Sequence, residues 1–99
     1  MAGEVSPPPG LTPPQQALWW LERGGLSLGP EWEKAHAICQ SNEGDPAHDL
    51  VHALAHLIEG DLGNSDYWYR RSGDAPVSRD PHAEWRRIAD RLGGPARQD

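Results

Sequence analysis

Apolar residues recur at spacings of three and four in five stretches of the chain, most of them opened by a proline beside a capping residue and most closed by glycine. That is the pattern of a string of short amphipathic helices. In the first stretch Ala17, Leu18, Trp20 and Leu21 lie near one face, with Trp19 off to the side. Thr12-Pro13-Pro14-Gln15 supplies an N-cap, first-turn prolines and the glutamine of a capping box, and Gly24-Gly25 marks the stop. Pro30, Glu31 and Glu33 open the second helix, whose stripe is Trp32, Ala35, Ile38 and Cys39 or Asn42, with His36 beside it. It ends at Asn42-Glu43-Gly44. Asp45-Pro46 opens the third, which Gly60 stops. At about 100° per residue, Ala47, Leu50, Val51, Leu54, Leu57 and Ile58 share one broad apolar face, and His48, His52, His56 and Glu59 gather opposite. The fourth covers Leu62 or Asn64 to Ser72, with Ser65, Trp68, Tyr69 and Ser72 as its packing edge. Asp80-Pro81 opens the fifth, where Trp85, Ile88, Ala89 and Leu92 follow at the helical period until Gly93-Gly94-Pro95. No stretch alternates apolar and polar residues as a strand would, so the expected class is all-α.

The expected arrangement is two antiparallel helix hairpins plus a C-terminal docking helix, all within residues 12–93. The Pro-rich segment 1–11 and residues 94–99 are read as flexible tails. Composition sharpens this picture. Phe is absent and Met occurs only at position 1, so five Trp, two Tyr and the aliphatic residues must fill the core. Because each indole N–H needs a partner, some aromatic surface is expected to face a groove or a second subunit. A net charge of −6 argues against coating nucleic acid or an anionic membrane. The single cysteine, Cys39, permits no intramolecular disulfide, and its helical spacing from Ala35 reads as a small buried hydrophobe. MAGEVSPPPG lacks the basic and apolar regions of a signal peptide, and no apolar run approaches membrane-spanning length; the expected location is the cytoplasm.

The two hairpins form a weak internal repeat, with the small residues Ala35 and Ser65 in comparable places 30 positions apart, against 34 in a tetratricopeptide array. Gly60-Asp61, Ser65, Tyr69, Ser72 and Pro76 resemble the latter half of a tetratricopeptide or Sel1-like unit, and YWYRRSG is similar to the Sel1-type WYRKAA segment. The front half departs from that pattern: His52 and His56 stand where Leu and Tyr are usual, and Asp49 where Trp is. HAxxHxxEGDxxN followed by YWYRR also resembles a family of small uncharacterised bacterial proteins. The resemblance implies a helix-hairpin fold of the kind used for protein interaction.

Chemistry concentrates in Asp45–Gly73. His52-x-x-x-His56-x-x-Glu59 places two imidazoles and a carboxylate on one helix face, a set that can hold a divalent ion, zinc by ligand type, with His36 or Asp61 completing the sphere. The catalytic H-E-x-x-H signature is absent, since Ala53 follows His52 and the acid lies outside the pair. Metal-free acid–base chemistry would use His52 or His56 as proton carrier, oriented by Glu59 or Asp61. Tyr67, Trp68, Tyr69, Arg70 and Arg71 suit an interaction surface; alternatively the aromatics pack on Trp85 and Trp20 while these arginines pair with Asp66, Asp74 or Glu84. The leading expectation is a cofactor-free interaction module or small homo-oligomer, binding through His36, His52, His56, Glu59, Asp61, Asn64, Tyr67, Trp68 and Arg71. The rival is a metal-binding protein or small metal-dependent hydrolase using His52, His56 and Glu59. Convergence of the histidines on one point favours metal; an outward fan beside exposed aromatics favours a partner surface.

Overall fold

A computed structural model describes residues 5–95 and bears out the all-α class: α1 (Pro13–Arg23), α2 (Pro30–Gln40), α3 (Pro46–Glu59), α4 (Leu62–Ser72) and α5 (Pro81–Leu92), with no strand among the described residues. The parts of the two expected tails formed by residues 1–4 and 96–99 lie outside the described residues, and Pro95 is buried.

The local signals act as their chemistry dictates. Thr12 accepts from the Gln15 amide while the Gln15 side chain accepts from the Thr12 amide, closing the capping box. Asp45 and Asp80 each accept the amide three residues on, at 3.1 Å. Gly60, at φ 85°, ends α3 in the left-handed region that a side chain would strain.

α3 is the centre of the fold, packing on α1, α2, α4 and α5, while α1 packs chiefly on α2 and α3 on α4, in keeping with two hairpins. Its ten successive residues His48–Leu57 are all buried. The histidine side of α3 is therefore an interhelical face, covered by α2 and α4. Indole N–H groups are satisfied across helices, Trp32 Nε1 donating to the Ala55 carbonyl and Trp85 Nε1 to the Leu18 carbonyl, both at 2.8 Å. Ser65, fully buried, donates to the Ala53 carbonyl at 2.8 Å and lets α4 lie close on α3.

Two expectations are revised. Trp19, not Trp20, is the more buried of the pair, at 8 % exposure; Trp20 packs half-buried against the core with Lys34 over its ring. The carboxylates Asp66, Asp74 and Glu84 pair with Arg79, Arg87 and Arg91 rather than with Arg70 or Arg71. Glu84, only 1 % exposed, joins α4 to α5 by accepting from Tyr69 Oη at 2.6 Å and from Arg87 at 2.9 and 3.0 Å. Among the described residues no helix is long and apolar enough to cross a membrane.

Candidate metal centre

Spacing of four on α3 puts His52 and His56 on one side of that helix, and the crossing of α2 over α3 brings His36 between them and solvent. The ring centroids of His36 and His52 lie 4.8 Å apart, those of His36 and His56 5.1 Å, and those of His52 and His56 4.9 Å. His36 Nε2 and His52 Nε2 face each other at 3.1 Å. One ring nitrogen from each of the three histidines lies within 4.8 Å of the other two. His52 and His56 are 2 % and 6 % exposed, whereas His36 is half-buried and forms the outer side of the cluster.

Aromatic walls hold the rings in place. Trp68 of α4 stacks on His52 at 3.9 Å between centroids and 15° between planes, and Trp32 of α2 stacks on His36 at 4.7 Å and 16°. The Trp32 ring also presents an edge to His56 at 6.2 Å.

Glu59 meets His56 on its far side. Its carboxylate accepts from His56 Nδ1, which makes Nε2 of His56 the acceptor nitrogen; Asn64 Nδ2 donates to that atom at 3.4 Å. The sequence spacing that suggested Glu59 as a third ligand therefore brings it to the back of one imidazole, and the third imidazole comes from α2. Asp61 is exposed and caps α4 by accepting from the Asn64 amide at 3.3 Å; with His56 and Glu59 it forms a second, outer acid–histidine group. His48 takes no part in the trio, since its Nδ1 bonds the capping Asp45 carboxylate at 2.7 Å.

Tyr67 and Arg71 form the edge of the site. Tyr67 is 43 % exposed and its hydroxyl accepts from Arg71 at 3.1 Å, while the Arg71 guanidinium lies over Trp68 at 5.0 Å from its centroid.

Burial is the largest influence on two of the imidazoles. It pushes the His52 pKa down to about 3, reinforced by the neighbouring His56 and His36 and by Arg71. His36 is also lowered, first by burial and then by His56, against smaller opposing pulls from Glu33, Glu59 and Glu43. Both rings are thus neutral at neutral pH, the form that ligates a metal. Trp32 as a ring wall was not singled out by sequence reasoning; Trp68 was named there as a binding residue, and the fully buried Asp49 only as a departure from the Sel1-like pattern.

No protein-family model matches the chain, and comparison with curated proteins and with solved structures gives no match. The chemistry of this site is accordingly argued from its geometry.

Proposed function

We propose that this protein binds one divalent transition-metal ion, zinc by ligand type, through His36, His52 and His56, with Glu59 orienting His56 from behind. The observation that carries this reading is the convergence of three imidazoles, two of them with Nε2 atoms 3.1 Å apart. Zinc–nitrogen bonds of about 2.0–2.1 Å in a tetrahedral shell separate neighbouring nitrogens by about 3.3 Å, so the pair already stands at nearly the ligand spacing. A carboxylate behind a ligating imidazole is the usual means of fixing its tautomer and raising its basicity, and Glu59 stands in that relation to His56. Thiolate is absent from the set, so the site favours zinc and other imidazole-binding ions over thiophilic ones. A zinc ion held by these three histidines would supply Lewis acidity and would lower the pKa of a water bound to it toward neutrality.

Equilibrium dialysis of the purified protein against zinc near neutral pH tests this directly. The expected result is one zinc per chain, and no stoichiometric zinc in a folded His52→Ala/His56→Ala variant. Native protein that retains no zinc, or a variant that retains as much as the native chain, would contradict the assignment.

A further inference from the structure

Among the described residues two buried side-chain polar atoms have no hydrogen-bond partner, Asp49 Oδ2 and His52 Nδ1. They belong to the same helix at a spacing of three, which sets the two Cβ atoms roughly 5–6 Å apart on one side of α3. Asp49 is fully buried, and its other oxygen is already held by the Gly44 amide at 3.1 Å, which fixes the carboxylate at this place in the fold. The remaining neighbours belong to α4: Trp68 stacks on His52, and the guanidinium of Arg71, lying over Trp68, interacts electrostatically with both Asp49 and His52. A buried polar group left unpaired costs about 1–3 kcal/mol. Here one of the two atoms can only accept while the carboxylate is ionised, and the other becomes a donor in one tautomer of a neutral ring.

We infer that Asp49 is the positioning residue of His52: the negative charge of its unpaired, buried Oδ2 favours the Nδ1–H form of that imidazole and so keeps the Nε2 lone pair turned toward His36 and His56. The inference rests on the metal reading for its purpose, and it completes a pattern: Glu59 sets the tautomer of His56, Asp49 that of His52. His36, which is half-buried, can exchange its ring proton with solvent and needs no such device. In the metal-free protein His36 then donates its Nε2–H to His52 Nε2 across the 3.1 Å contact, and binding of a metal at His36 Nε2 would require that proton to move to His36 Nδ1 by exchange with solvent.

Long-range proton–nitrogen NMR of the histidine rings in metal-free protein reads the tautomers directly. The native protein near neutral pH is expected to show His52 as the Nδ1–H form. Asp49→Asn keeps the shape and can still accept from Gly44, but it removes the negative charge; His52 should switch to the Nε2–H form, and zinc affinity should fall about 10–100-fold. A native His52 in the Nε2–H form, or an Asp49→Asn protein with its tautomer unchanged, overturns the inference. The native measurement stands even where the variant fails to fold. Because it uses metal-free protein, its failure is distinct from failure of the metal reading, which shows instead as absence of zinc from the native chain.

Discussion

Acidifying the metal-free protein from about pH 6.5 to about pH 4.5 is expected to lower its stability by about 2 kcal/mol, above the range in which most carboxylates titrate. In the unfolded chain an imidazole takes up a proton near pH 6.5; in the fold His52 does so only near pH 3, chiefly because it is buried against Trp68. Between those values the unfolded state holds the proton and the folded state does not. The contribution is therefore complete above about pH 6.5 and is lost as pH falls toward the folded pKa, at about 1.4 kcal/mol per unit. The lowered pKa of His36 acts in the same direction. Asp74 and Glu84, whose carboxyl pKa values are held down by hydrogen bonds and by Arg87 in excess of the opposing effect of burial, lose their contributions only at still lower pH. Urea unfolding at a series of pH values measures the slope. A stability that stays flat down to about pH 4.5 would mean that the histidine cluster is solvated, and the cluster as described would be wrong.

Zinc should act with comparable strength. At a free concentration about 100-fold above its dissociation constant, a ligand that binds only the folded state adds about 2.7 kcal/mol. For a domain of this size each kcal/mol moves the thermal midpoint by about 4–8 °C, so a rise of roughly 10–20 °C is expected. His36 and His52 are neutral near pH 7 and have no proton to surrender to the ion. Midpoints measured by circular dichroism with and without zinc, on the native chain and on His52→Ala/His56→Ala, give the comparison. The shift belongs to the native protein alone; an equal shift in the variant would place the ion elsewhere, and no shift in either would remove the site.

How far these properties could be read in the sequence depends on their range along the chain. Helix ends were legible because their causes lie within three or four residues: Thr12 with Gln15, Asp45 with the amide of His48, Gly60 at a left-handed stop. The choice between Trp19 and Trp20 was not, because adjacent positions differ by about 100° on a helix whose tilt is set by its neighbours. A helical wheel divides α3 into apolar and polar sides and cannot register that α2 and α4 cover the second, burying His48 through Leu57 without a break. The His52–His56 pair was visible as a spacing. Its partner His36 stands 16 residues away from His52, joined to it only through the packing of α2 on α3. Glu59 shows the opposite failure: three residues from His56, it reaches that ring's back nitrogen and so supports one ligand. Glu84 stood in the sequence only as a possible partner of Arg70 or Arg71, and it is the approach of Tyr69 and Arg87 that makes it a buried junction.

The central claim is that three imidazoles meet at one ion, and X-ray absorption at the zinc edge of the loaded protein tests it most directly. The account predicts a first shell of nitrogen and oxygen at about 2.0–2.1 Å, with the outer-shell scattering of three imidazole rings. A shell containing sulfur at about 2.3 Å, or one of oxygens with no more than one imidazole, would contradict it.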